Sequence, residues 1–370
     1  MLNLVIADED SRYIDSLSKY IRNKYSSRLN IFTFTNKQSF MEFITDKAQE
    51  IDILLVDRDY YSRDIEQPEN FVTIVLTDGR HIEKDSNIKY INKYHPADTI
   101  YKLFMEIYSD AMPDKSEWTG NNFRGSVITV FSPHGGSGCT TVALSLAHYI
   151  SKMGMRVFYL NVENISSLGD TQGICENGIN FSNIIFYLKE RRKNLSLKIE
   201  AAKYYDSRWM FYYFQPPDSF LEIDDLEIDD YVKLIQSLKS MDQFDYIVID
   251  MGQAVSAGRR VLFDISDKLV MTICPGAFTS VKLNRLLKEL SMNDMEKEIL
   301  DRVLTVFNKK GILNEEVYVD RRLLNRCVSI PVLNDIEVKQ GDGSYFNIQG
   351  SICGYIEPIA RFIIKGDSDE

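Results

Sequence analysis

The chain has 370 residues, 44% of them hydrophobic, and a formal charge of −11. That length favours about two domains with ample cores, and the acidic balance excludes broad binding to nucleic acid or anionic membrane, which draws its affinity from basic surface. No apolar run approaches the roughly 18 residues of a membrane span, and the five scattered cysteines (Cys139, Cys175, Cys274, Cys327, Cys353) form no CxxC pair, which predicts reduced thiols in a cytoplasm rather than a disulfide framework or zinc site.

The start, "MLNLVIADED", sets acids directly after a short apolar run, so no signal peptide is predicted. From there to about residue 108, apolar runs ("LNLVIA", "LNIFTF", "DILLVD", "FVTIVLT", "IKYIN") alternate with amphipathic segments. Such alternation predicts a parallel sheet with helices on both faces. In a doubly wound sheet the C-terminal strand ends meet in one crevice. The residues predicted there are Asp8, Glu9 and Asp10 after the first strand, Asp57, Thr77 and Lys93 after later ones. Asp8, Glu9 and Asp57 suit a hard divalent cation such as Mg²⁺. Asp57 is then the candidate phosphoacceptor, with Thr77 and Lys93 contacting phosphoryl oxygens. The set resembles the receiver domain of two-component response regulators over residues 1–108. It departs from that pattern in having Tyr94 after the lysine, with Pro96 two residues later. Residues 109–124 are polar and contain Pro113 and Gly120, as in an interdomain linker.

From residue 125 the βα pattern resumes with the strand candidates "SVITVF", "RVFYLNV", "WMFYYF", "YIVID", "KLVMTI" and "RVLTVFN". The acidic stretch "DSFLEIDDLEIDD" reads as a solvated loop and helix start. After the first of these strands come Pro133, His134, Gly135, Gly136, Ser137, Gly138, Cys139 and Thr140. A phosphate-binding loop reads GxxxxGK[ST]; here Pro133 takes the first glycine's place and Cys139 the lysine's. The dinucleotide fingerprint fails too, since its third glycine position holds Thr141. The remaining glycines still let backbone N–H groups turn inward as an anion nest at a helix N-terminus. Asp250 ends "YIVID" in the manner of a Walker B strand, placed to hold Mg²⁺ through water while Thr140 offers its hydroxyl. Asn161 and Glu163 follow one strand; Asn308 and Lys309 follow another, where a side-chain amide can meet both hydrogen-bonding edges of adenine.

The order of glycine loop, "NVE" strand, "YIVID" strand and "NK" strand resembles the MinD/ParA class of deviant Walker A ATPases over roughly residues 125–365. A receiver-like domain ahead of a MinD-like one with its loop lysines lost resembles the TadZ/CpaE family, whose members help position tad-type pilus assembly machinery at one cell pole. The resemblance implies an α/β chain: a receiver-like, flavodoxin-type domain (1–108), a linker (109–124) and a MinD/ParA-like P-loop domain (125–370). It implies ATP and Mg²⁺ as cofactors, a homodimer formed through the nucleotide-binding domain, and pilus or polar proteins as partners in the cytoplasm at the pole. It further implies that Gly135, Gly136, Ser137, Gly138, Thr140 and Thr141 contact phosphate or Mg²⁺, and that Asn308 reads adenine with Lys309 beside it. His134 stands at the family's signature lysine and Cys139 at the ordinary loop lysine. Asn161 and Glu163 replace the aspartates that orient water, which leaves Glu163 as the candidate catalytic residue.

A thiol offers at most a weak donor where a fixed positive charge is needed. Losing one preorganised stabiliser costs on the order of 10² to 10³ in rate. ATP binding with slow or absent hydrolysis is therefore expected, at most a weak ATPase, with a protonated His134 restoring part of the charge. The competing expectations are an active ATPase cycling on a surface and a phosphorelay regulator controlled at Asp57. An iron–sulfur role is not expected, since Cys274 and Cys353 lack the contexts. The final "GYIEPIARFIIKGDSDE" has no Lys/Arg face for anionic lipid, so core packing rather than membrane insertion is expected.

Overall fold

The computed structural model describes residues 1–26, 28–61, 71–79, 88–112, 125–166, 179–192, 194–253, 258–276, 278–292, 296–310, 321–340, 343–347 and 349–365. Its contacts divide the chain into two compact units, residues 1–116 with 192–201, and residues 117–191 with 202–370.

In the first unit, β1 (Leu2–Ala7), α1 (Ser11–Tyr25), β2 (Leu29–Phe34), α2 (Lys37–Lys47), β3 (Ile53–Asp57), β4 (Val72–Thr77), β5 (Lys89–Asn92) and α3 (Ala97–Ala111) follow in chain order. The sheet order is β2-β1-β3-β4-β5, with every pairing parallel. This is the doubly wound order with its switch point between β1 and β3. Strands buried on both faces are mainly apolar: β3 runs apolar up to Asp57, and β4 is buried along its length with Thr73 and Thr77 as its polar residues. Asp10 sets the start of α1, its side chain accepting from Arg12 N and Tyr13 N. The apolar stripe Ile14, Leu17, Ile21 and Tyr25 then faces the core. The helix α3 continues to Ala111, three residues into the predicted linker; residues 113–124 lie outside the described set.

In the rest of the chain come β6 (Ser126–Ser132), α4 (Cys139–Lys152), β7 (Val157–Asn161), α5 (Phe181–Lys189), α6 (Leu195–Ala202), β8 (Lys203–Asp206), β9 (Phe211–Phe214), α7 (Leu221–Asp224), α8 (Ile228–Ser240), β10 (Tyr246–Gln253) and α9 (Val261–Ile265). They are followed by β11 (Lys268–Ile273), α10 (Thr279–Met292), α11 (Glu296–Arg302), β12 (Val303–Lys310), β13 (Cys327–Pro331), β14 (Glu337–Gln340), β15 (Gly343–Phe346) and α12 (Ile352–Lys365). The eight-stranded sheet of the second unit runs β13-β12-β11-β6-β10-β7-β9-β8. Only its β8–β9 edge is antiparallel. The predicted strand "WMFYYF" starts two residues late, at Phe211, because Met210 turns into the left-handed region at φ 63°. The helix α12 buries Ile352, Ile356, Ile359, Ala360 and Ile363 in one core cluster with Val142, Leu146 and Ile150 of α4. Helical spacing of these residues explains why the C-terminal segment is core. No helix among the described residues is long and apolar enough to cross a membrane.

The segment carrying most of α6 belongs to the first unit, not to the contiguous 125–370 domain expected from sequence. Asn194 donates to the carbonyls of Ser109 (2.6 Å) and Met112 (3.1 Å) at the end of α3. Lys198 pairs with Asp110 at 3.0 Å. Glu200, 1% exposed, accepts from Tyr101 Oη at 3.1 Å and faces Arg28 at 3.5 Å. The Tyr101 ring stacks on Tyr25 with centroids 3.6 Å apart.

Candidate functional site

Two sets of polar side chains gather at C-terminal strand ends, one in each unit. In the first, Lys93 Nζ bridges Asp57 Oδ2 (2.9 Å) and Asp8 Oδ2 (3.3 Å). Backbone N–H groups fix the carboxylates: Asp10 N donates to Asp8 Oδ1 at 2.9 Å, and Asp59 N to Asp57 Oδ1 at 3.1 Å. Burial and the nearby Asp57 charge push Asp8 above the usual carboxylate range. Burial works to lower Lys93, but the hydrogen bond to Asp57 and both acidic charges outweigh it and push Lys93 up. Thr77 is buried at the end of β4. Glu9 is exposed, and among the described residues no group of three or more acidic, histidine or cysteine side chains is placed to hold a metal. Of the expected trio, Asp8 and Asp57 are bridged by Lys93, while Glu9 is exposed. Asp10 serves as the α1 cap.

In the second unit β6 delivers the chain into the glycine loop, and α4 leaves it with Gly138 as its N-cap. Gly136 (φ 72°) and Gly138 (φ 83°) both adopt the left-handed region that L side chains rarely enter. A Cβ on Gly138 would also lie 2.2 Å from Asn308 Nδ2. These two glycines fit the nest expected from sequence. Ser137 Oγ hydrogen-bonds Thr272 Oγ1 at 3.0 Å, which ties the loop to β11. Asn308 Nδ2 donates to Ser137 O at 2.8 Å, and Lys309 Nζ to Gly136 O at 2.9 Å.

The two positions that lack lysine are both engaged inward. Cys139 is 6% exposed and directs its thiol to Asp250 Oδ1 at 3.4 Å. Burial and the Asp250 and Glu163 charges push that thiol well up, so it remains S–H. The His134 Nε2 accepts from Cys274 N at 3.3 Å, while Nδ1 lies 3.1 Å from Gly135 O. One nitrogen accepting and the other facing a carbonyl is the pattern of a neutral imidazole with its proton on Nδ1. The positive charge that a protonated His134 would have added to the loop is absent from this arrangement.

Asp250 is fully buried at the end of β10. It accepts from Tyr159 Oη (2.7 Å) and Gly252 N (3.2 Å). Glu163 Oε2 accepts from Thr140 Oγ1 at 2.8 Å, and Glu163 N donates to Asn161 Oδ1 at 2.8 Å. Burial and then the Asp250 charge push Glu163 up to about 7, against the hydrogen bond from Thr140 and the charge of Arg259. Burial likewise raises Asp250, against the hydrogen bond from Tyr159. Thr140, Glu163 and Asp250 make a set of hard oxygen donors, and two buried carboxylates, one raised further by the other's charge, are what a divalent cation would relieve. The Asn161 Nδ2 donor is buried with no acceptor among the described residues. The chemistry of the site thus fits a phosphate tail with Mg²⁺.

Tyr159, Gly252 and Arg259 belong to this neighbourhood but carried no motif. A Cβ on Gly252 (φ 62°) would collide with Glu163 at 2.1 Å, so only glycine leaves room there. The "DMG" after the Walker B strand was its only sequence signal. Tyr159 sits among the apolar residues of β7, where nothing distinguishes its hydroxyl from a core tyrosine's. Arg259 is buried and bonds Asn164. The side chains of Asn308 and Lys309 are engaged with the loop rather than open. Among the predicted contacts, Thr141 is half-buried on α4.

Residues 1–109 match the family profile described as a TadZ-like receiver domain, and residues 125–302 one described as an AAA domain. An uncharacterized ATP-binding protein of Methanocaldococcus jannaschii is 25% identical over 262 residues, which cover 65% of this chain and 93% of that protein. The cell division ATPase MinD of Pyrococcus furiosus superposes with a TM-score of 0.50 at 16% identity, covering 65% of this chain and 99% of that one. A ParA family ATPase of Chlorobium tepidum gives a TM-score of 0.45 at 19% identity, over 58% of this chain and 87% of its own. The likeness to MinD is one of fold: a P-loop α/β domain built on a mainly parallel sheet.

Proposed function

We propose, on the premise that this chain joins a TadZ-like receiver domain to a nucleotide-binding domain of the MinD/ParA type, that it is an ATP-binding scaffold of a pilus assembly apparatus and hydrolyses ATP slowly or not at all. The observation that carries the proposal is the state of the loop: both lysine positions are filled by neutral groups turned inward, while the nest glycines Gly136 and Gly138 keep their left-handed backbone. Phosphoryl transfer depends on positive charge placed at the β- and γ-phosphates. Holding the tail depends largely on main-chain N–H groups and the helix dipole. Removing the first and keeping the second separates binding from turnover.

Within the site, Gly135, Gly136, Ser137, Gly138, Thr140 and Thr141 would hold the phosphates, and Asp250 would hold Mg²⁺ through water beside Thr140. The metal would supply charge neutralisation between β- and γ-phosphates. Tyr159 Oη fixes Asp250 for that role. Glu163 is held by Thr140 and Asn161 and would orient water. The relative from M. jannaschii, described as ATP-binding, supports adenine as the base. ATP retained without turnover would hold two copies together through their nucleotide-binding domains. A protein partner, met by the receiver-like unit, would bring the dimer and the pilus machinery to the cell pole; the apolar face of α12 packs in the core.

Calorimetry of ATP and ADP binding to the purified chain with Mg²⁺, beside steady-state turnover and oligomeric state, tests the proposal. Micromolar to sub-millimolar binding, dimerisation with Mg·ATP, turnover at least about 10²-fold below an intact MinD and a fluorescent fusion at one pole are expected. Turnover matching an active relative, or no uptake at millimolar nucleotide, overturns it.

A further inference from the structure

Resting on the nucleotide-binding role above, we infer that Lys309, from the end of β12, supplies the positive charge that the glycine loop no longer carries in its own sequence. A nest can present its N–H groups to an anion only if its carbonyls face the other way. Two of those carbonyls are capped by consecutive residues of one strand end. Asn308 Nδ2 takes Ser137 O at 2.8 Å, and Lys309 Nζ takes Gly136 O at 2.9 Å. The capping requires an unusual backbone. Lys309 stands at φ 56°, a region that lysine seldom occupies and that costs free energy. Its N–H is satisfied by Asn308 Oδ1 at 2.9 Å, and the pairing of β12 with β13 slips register between Phe307 and Lys310. The slip and the left-handed turn aim an ammonium at the loop instead of letting it run on along the strand.

The loop itself needs such a group. Cys139 and His134 are neutral and turned inward, and the acids Glu163 and Asp250 lie on the same site. An ammonium on the Gly136 carbonyl places its charge at the loop; the contact is exposed, so a polyphosphate feels that charge through a solvent-screened, salt-sensitive attraction. A lysine serving only as a brace would hold the loop equally well as an uncharged donor; a lysine serving as the cation would not be replaceable in that way.

The experiment compares wild type, Lys309→Gln and Lys309→Arg as full chains, titrated calorimetrically with AMP, ADP and ATP in Mg²⁺ at two salt concentrations. Glutamine keeps a donor for Gly136 O and removes the charge; arginine keeps both. The expected result is a loss for Lys309→Gln that grows with phosphate number, reaching at least about tenfold for ATP. That loss should shrink at high salt, with arginine restoring most of the affinity. An equal loss for AMP and ATP, or a glutamine variant that binds ATP like wild type, overturns the inference while leaving nucleotide binding intact. A wild type that takes up no nucleotide overturns both. Melting temperatures without nucleotide identify a variant that has lost its fold; if glutamine unfolds the chain, arginine must still match wild type or the inference fails.

Discussion

Glu163 shows what an acid at a ligand site does to the unliganded protein. Its ordinary value is 4.5, and burial together with the Asp250 charge raises it to about 7. Between those values the folded chain holds a proton that the unfolded chain has released. Stability therefore falls as pH climbs through that window and levels off above it. Replacing Glu163 by glutamine keeps an acceptor for Thr140 Oγ1 and abolishes the titration. The variant should match wild type near pH 4.5 and exceed it near pH 8, by about 2 kcal/mol after allowance for partial solvation. Denaturant titrations across that range measure the difference; a variant less stable than wild type at pH 8 would mean that the Thr140 bond outweighs burial. Cys139 contributes the complementary lesson: in the lysine's position it packs against Asp250 as a thiol, and no charge survives there.

At the scale of elements, the β6–loop–α4 unit depends on one glycine more than on its side chains. Gly138 caps α4 in the left-handed region, and Asn308 Nδ2 fills the space beside its Cα. Alanine there meets backbone strain and a collision at once. Displacing Asn308 would also free the Ser137 carbonyl. Gly138→Ala should lower stability by about 2 kcal/mol and remove nucleotide binding, as read by thermal melting and by calorimetry. Near-normal ATP uptake by this variant would show that the nest is not what holds the tail. These elements were legible in the sequence because their physics is local. Buried parallel strands are mainly apolar, as β1, β3, β6 and β10 are, and a polar residue stands at or just past the apolar run of each: Asp8, Asp57, Ser132 and Asp250. The edge strand β8, "KYYD", escaped because an antiparallel edge pair needs no apolar run. The roles of Asn308 and Lys309 as caps of the loop escaped too. They depend on a register slip in β12 and a backbone turn that residue types alone do not specify. Tyr159 and Gly252 were invisible for the same reason: their partners, Asp250 and Glu163, are brought to them only by the sheet.

At the scale of the whole molecule, sequence order and structural order part company. The chain leaves the second unit at Arg191, contributes residues 192–201 to the first, and returns at Ala202. An apolar, amphipathic stretch such as "LSLKIEAA" announces a helix but not the surface that will cover it, which is why a contiguous boundary at residue 125 looked sufficient. Glu200 is what makes the exchange costly to undo. Its carboxylate is buried with Arg28 and Tyr101, and Arg28 is itself buried. Breaking a buried ion pair from one side is worth roughly 3 kcal/mol or more, because the remaining charge stays in a dry setting. Glu200→Ala in the full chain should therefore loosen the first unit selectively. Amide hydrogen exchange should speed up across α1, α3 and the α6 segment, while β6, α4 and β10 keep their protection. If residues 1–108 formed a self-sufficient domain, the same substitution would leave their exchange unchanged and disturb only the neighbours of Glu200 in sequence. An unchanged exchange pattern in α1 and α3 would refute the claim that residues 192–201 complete the receiver-like unit.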